Sequence, residues 1–241
     1  MLNWNKVKIT EIETISEKTS IFWAKIQGDE IFDFTPGQFI TFDLPIHEKR
    51  NKRLRSYSIA SAPDGSNTIE LIIGKVPHGL ASEYFFNPEK CNVGTELNYR
   101  GPLGVFTLPE NLDKHHVFVC TGTGIAPFRS MVKHLINHNK KFKSIDLVFG
   151  ARTKEDILYK EEFEQLAQEV ENFNFHVCLS REEYKGYQGY VHEKYQEIAN
   201  QKSKEDVQFM FCGWRDMIDQ ARKELSELNY NKEQIIFELY G

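Results

Sequence analysis

Up to Gly101 the chain alternates apolar and polar positions in six short runs, VKITEIE (7–13), SIFWAKI (20–26), QFITFDL (38–44), RSYSIAS (55–61), IELIIGKV (69–76) and TELNYRG (95–101). Turn formers separate them, for example Asp33 to Gly37 and Pro63 to Asn67. A period of two over such short stretches predicts strands, and six at this spacing predict an antiparallel six-stranded β-barrel. One helical interruption is expected at Leu80 to Phe86.

From His116 the texture changes. Continuous apolar runs HVFVC (116–120), SIDLVFG (144–150), FNFHVCLS (173–180), VQFMFCG (207–213) and QIIFELY (234–240) alternate with segments of helical period, such as Pro127 to His138 and Lys160 to Val170. That alternation predicts an α/β doubly wound domain on a five-stranded parallel sheet. The polar stretch Pro109 to Lys114 has neither period, so the expected domains are residues 1–112 and 113–241. Two halves of different class lead one to expect a ligand at their junction.

Composition narrows the function classes. With 241 residues, 40% of them hydrophobic, the chain can bury a sizeable core. No run approaches the ~20 apolar residues of a membrane span, and the N-terminus lacks the layout of a secretory signal, so a cytoplasmic protein is expected. Cys91, Cys120, Cys178 and Cys212 are scattered, with no C-x-x-C pair for zinc or an iron-sulfur cluster. Any one-electron partner is therefore expected to be a separate protein. A net charge of -5 gives no reason to expect nucleic acid, although Lys49, Arg50, Lys52, Arg53 and Arg55 form a local basic patch.

Chemistry gathers at strand ends. On a strand, Arg55 and Tyr57 project to one face, Ser56 and Ser58 to the other. A guanidinium grips pyrophosphate as a fork, a phenol ring stacks on a flat heterocycle, and a hydroxyl bonds a ring nitrogen. The same tetrapeptide also suits an ordinary edge strand with a solvated Arg. Val76-Pro77-His78-Gly79-Leu80-Ala81-Ser82 opens a helix where free N–H groups accept an anion, or is simply a turn. Gly101-Pro102-Leu103-Gly104 reads as a tight loop. Thr121-Gly122-Thr123-Gly124-Ile125-Ala126-Pro127 follows a strand and opens a helix, with two glycines that let the backbone approach a ligand. Pro127 suits a first helical turn. Cys212-Gly213-Trp214 repeats that logic at another strand end, where a small buried Cys is also at home.

In order, RSYS, VPHGLAS, GPLG, GTGIAPFRS, ILYKEEFE, LSRE, CGWRDM and ELYG resemble the ferredoxin-NADP reductase family, its plant and cyanobacterial branch more than its bacterial one. The resemblance implies FAD and NADP(H) as cofactors and ferredoxin or flavodoxin as partner. It implies that Arg55 holds the FAD pyrophosphate, Tyr57 stacks on the isoalloxazine and Ser58 bonds near N5. Gly79, Ala81 and Ser82 would complete the pyrophosphate site. Thr123, Gly124 and Pro127 would line the nicotinamide path, and Cys212 would approach nicotinamide C4. Ser180 and Arg181 would hold the 2'-phosphate. Glu238 and Tyr240 match a terminal pair in which the Glu tunes the flavin and the aromatic covers it, although here Gly241 follows. The adenine-stacking ring is Tyr187 or Tyr190, with Tyr190 preferred because Tyr187 lies in a Gly-flanked loop. Three other functions share these motifs: a free-flavin reductase, an NADH-linked oxygenase reductase, and a silent nucleotide-binding redox sensor.

Overall fold

The computed structural model describes residues 4–28 and 31–240. By its contacts the chain divides into two compact units. One takes the chain up to Leu108 together with Ala126–His138, the other Pro109–Ile125 and the chain from Asn139 onward.

The first unit is an antiparallel sheet of β1 (Asn5–Ser16), β2 (Thr19–Ile26), β3 (Phe39–Asp43), β4 (Leu54–Ser58), β5 (Thr68–Gly74) and β6 (Glu96–Leu103), ordered β4-β3-β6-β1-β2-β5. Its edges meet at an Ile59–Leu71 bridge, which turns the sheet into a barrel. Alternation explains the interior: Val7 and Ile9, Phe22 and Ala24, Ile40 and Phe42, and Ile69, Leu71 and Ile73 all point inward and are buried. The short helix α1 (Leu80–Phe85) seals one side with Tyr84 and Phe85. Helix α2 (Ile125–Asn137) also belongs here from Ala126 on. Its Phe128 meets Phe106 edge-on at 5.6 Å, and its Arg129 reaches β5.

The second unit is a parallel sheet of β7 (His115–Thr121), β8 (Ser144–Ala151), β9 (Phe173–Leu179), β10 (Tyr187–Gln188), β11 (Val207–Trp214) and β12 (Ile235–Tyr240), ordered β10-β9-β8-β7-β11-β12. The five expected strands are present. The sixth, β10, is a two-residue addition beside Cys178 and Leu179 that carries too little periodicity to be read from sequence. Helices α4 (Val191–Asn200) and α5 (Arg215–Glu227) cover the face formed by Val117, Val119 and Val148. Helix α3 (Lys160–Glu169) covers the other through Phe163, whose ring lies 5.1 Å from that of Phe175. The order reverses between β7 and β11, and at such a switch point the carboxyl ends of the strands leave a crevice for ligand. Among the described residues no helix is long and apolar enough to cross a membrane.

Candidate functional site

In the barrel unit, pairing of β4 with β3 sets Arg55 opposite Phe42 and Tyr57 opposite Ile40. The Tyr57 ring therefore packs on Phe42 at 5.9 Å and edge-on against Phe85 of α1 at 5.6 Å, while staying half-exposed. Burial pushes its phenol well above the ordinary value, so it stays neutral and offers a flat uncharged surface. Arg55 donates from Nη1 to the carbonyls of Lys52 (3.1 Å) and Leu54 (2.7 Å). That anchors one edge of the guanidinium. Ser58 is buried at the strand's end.

Because Phe85 of α1 touches Tyr57, the start of α1 lies in the same neighbourhood. Glu83 is the first residue of α1 to donate back, to Gly79 O at 2.9 Å, so the amides of Leu80, Ala81 and Ser82 are the orphan donors of a first turn. The buried Ser82 Oγ accepts from Val76 N–H at 2.8 Å and keeps its own proton to donate. Gly79 has no room for a side chain without pressing on Val76 O at 3.1 Å. A guanidinium, amide and hydroxyl donors and a half-exposed ring are what a pyrophosphate and a flat heterocycle require. These residues fit FAD.

In the other unit the carboxyl ends of β7 and β11 meet at the switch point. A Cβ on Gly124 would stand 2.3 Å from Cys212 O, and one on Gly213 would stand 2.7 Å from Thr121 Oγ1. Gly122 has φ +52°. Glycine is therefore required for β7, its 3-10 turn Gly122–Gly124 and β11 to come this close. Thr121 Oγ1 is buried there without a hydrogen-bond partner among the described residues, a donor and acceptor the sequence reading passed over. A buried hydroxyl and close-packed backbone at a switch point suit a dinucleotide.

Cys212 is fully buried in this crevice, and its thiol is pushed far up, first by burial and then by the charge of Glu238. The Tyr240 hydroxyl beside the thiol acts in the opposite, lowering direction. The β11–β12 register, Cys212 beside Glu238 and Trp214 beside Tyr240, brings the three together. Gly241 lies outside the described residues. Thr123 sits within the 3-10 turn, and Pro127 in the first turn of α2 within the barrel unit.

Ser180 and Arg181 close the carboxyl end of β9. Ser180 donates its N–H to Ala151 O, and Arg181 donates its N–H to Arg152 O at 3.1 Å. Two exposed guanidinium groups, Arg181 and the unanticipated Arg152, thus stand on adjacent strand exits. Glu182 is occupied by the Lys154 amide (2.8 Å) and ammonium (2.9 Å), and Arg181 has no ion pair among the described residues. Tyr187 packs on the α4/α5 core and bonds Glu193, whereas Tyr190, at the N-cap of α4, is 69% exposed.

The basic patch is only partly available. Lys49, Arg50 and Lys52 are exposed around a 3-10 turn, with Arg50 stacked over Trp4, but Arg53 pairs with Asp43 at 2.7 Å.

Fold and site together define a two-unit oxidoreductase that binds a flavin dinucleotide on a barrel and a nicotinamide dinucleotide on a parallel sheet. Residues 6–108 match the oxidoreductase FAD-binding domain and residues 118–223 the oxidoreductase NAD-binding domain. The chain is 34% identical over 216 residues to ferredoxin--NADP reductase B of Sorangium cellulosum, covering 87% of this chain and 86% of that protein. It is 31% identical over 222 residues to the anthranilate 1,2-dioxygenase electron transfer component of Acinetobacter baylyi, spanning 91% of this chain but only 62% of that protein. The fold matches a ferredoxin NADP+ reductase from Neisseria gonorrhoeae with bound FAD and NADP, with a TM-score of 0.82, 22% identity and 99% of both chains covered. The chain belongs to the ferredoxin-NADP reductase family of flavin oxidoreductases that use NAD(P)H.

Proposed function

We propose that the protein exchanges hydride between NADP(H) and bound FAD, and passes single electrons to or from a small acidic carrier, ferredoxin or flavodoxin. FAD, when bound, supplies a centre that takes two electrons together and releases them singly. Arg55, the first-turn amides of α1 and Ser82 hold its pyrophosphate, Tyr57 stacks on its ring, and Ser58 hydrogen-bonds near N5. On the nucleotide side Gly124 admits the dinucleotide to the crevice and Cys212 packs beside the nicotinamide. Tyr240 shields the flavin until nicotinamide takes its place, and Glu238 assists proton movement. Tyr190 stacks on the adenine.

The observation that carries the reading is Arg181. It is exposed at the end of β9 with Ser180 beside it and no ion pair among the described residues, which supports recognition of the 2'-phosphate that only NADPH carries. A second reading, an NADH-linked oxygenase reductase component, draws support from the Acinetobacter relative. Stopped-flow reduction of the bound flavin by NADPH and by NADH separates them, with faster reduction by NADPH expected. Adding ferredoxin or flavodoxin to the reduced protein then tests the carrier. Transfer should slow as salt rises, because exposed Lys49, Arg50 and Lys52 are screened beyond ~8 Å at physiological ionic strength.

A further inference from the structure

Glu70 interrupts the apolar strand β5 with a charge, yet it is only 6% exposed. It faces away from the barrel interior, since its neighbours Ile69 and Leu71 point inward. Its carboxylate takes Arg129 Nη1 at 2.7 Å, and Arg129 is itself 7% exposed on α2. The same Nη1 donates to Ala60 O at 3.1 Å. Ala60 is two residues beyond Ser58, at the exit of the strand that carries Arg55, Tyr57 and Ser58.

Glu70 holds that exit by its backbone as well. Ala60 N–H donates to Glu70 O at 2.8 Å, and Glu70 N–H donates to Ser61 Oγ at 3.1 Å. One buried ion pair therefore joins three segments of the barrel unit: the end of the flavin-motif strand, the middle of β5, and the first turns of α2, whose N-terminus continues the Gly122–Gly124 turn.

Such a pair is poorly explained as a source of stability. Taking both charges out of water costs about as much as their attraction returns, and apolar replacements of similar volume are often neutral. What it does supply is a fixed geometry, because the guanidinium is held by a carboxylate and a carbonyl at once. The geometry points to Glu70 and Arg129 as positioning residues that fix the first turns of α2, with Ala126 and Pro127, to the strand that holds the flavin, and so set the alignment needed for hydride transfer. This rests on the reading given under Proposed function. Near-attack geometry tolerates little error, so loosening the link should lower the rate of the step more than the binding of either cofactor.

The test compares the FAD-loaded native protein with Glu70→Leu/Arg129→Met and with Arg129→Lys. For the double variant we expect a thermal midpoint within a few degrees of native and a retained flavin spectrum. Single-turnover flavin reduction by NADPH should be slower by on the order of ten- to a hundredfold, with the half-saturating NADPH concentration nearly unchanged. Arg129→Lys keeps the charge but loses the planar guanidinium, and should recover part of the rate; should the double variant not fold, this variant decides alone. Amide exchange gives a readout independent of turnover. FAD should slow exchange in α2 of the native protein, and in the double variant should slow it in β4 but not in α2. A native rate in the variants, or α2 exchange that responds to FAD equally with and without the pair, overturns the proposal. A native protein whose flavin NADPH does not reduce defeats the functional reading instead, and the exchange comparison then still judges the link.

Discussion

The two units prepare for their ligands in opposite ways. In the barrel the residues proposed to recognise FAD are part of the packing: Tyr57 lies on Phe42 and Phe85, Arg55 is anchored to two carbonyls, and Ser58 and Ser82 are buried. In the nucleotide unit, the proposed recognition divides between backbone brought close at the switch point and side chains left in solvent, Arg181 and Tyr190. A ligand meant to stay bound can share its residues with the core. A ligand that arrives and leaves each turnover is better met by groups whose removal leaves the fold intact. The barrel should therefore lose fold and binding together, and the nucleotide unit should lose them separately.

Tyr57→Ala should show the largest effect. Truncating a fully buried aromatic costs about 3–5 kcal/mol, and this half-exposed ring should cost roughly 2–3 kcal/mol of stability along with the FAD-binding surface. Denaturant titration and flavin fluorescence would report the two losses together; a loss of FAD with full stability would break the comparison.

Gly124→Ala comes next. Its Cβ would meet the backbone of Cys212, which cannot rotate away, so overpacking of about 1–3 kcal/mol is expected at the crevice alone. NAD(P)H-driven reduction should fall at least tenfold while bound FAD and its spectrum persist. FAD release on this substitution would count against separate sites.

Arg181→Ala should weaken NADPH by ~1.5–3 kcal/mol, ten- to a hundredfold in Michaelis constant, with NADH kinetics and thermal midpoint nearly unchanged. Equal losses with both coenzymes would assign Arg181 to the fold or to the shared part of the nucleotide.

The smallest effect is in the response to acid. His116 is fully buried in the nucleotide unit, and burial lowers its pKa to about 4. The unfolded chain takes up this proton near pH 6.5, the folded one only near 4, so stability is lost as pH falls through that window. His192 and His115, lowered mainly by burial, act in the same direction. Thermal midpoints between pH 7 and 4.5 should drop less steeply in His116→Gln, which keeps a donor for Asn111 O; parallel slopes would remove His116 from the account.

Much of the fold was legible because its signals are local. A period of two marks strands, continuous apolar runs between helical segments mark a parallel sheet, and glycines at strand ends mark close backbone approach. Each is a property of neighbouring residues, so eleven of the twelve strands among the described residues, and the switch-point turn, could be read in order. What tertiary structure alone decided involves partners distant in the chain. Arg129 finds Glu70 59 residues away, Arg53 is taken by Asp43, Lys154 relieves Arg181 of Glu182, and Tyr240 reaches Cys212 through strand register. The sequence shows a charge in an apolar strand and an Arg in a buried helix as two oddities. Only folding shows that they are one interaction, because β5 and the first turns of α2 come together around the Ala60 carbonyl that Arg129 also holds.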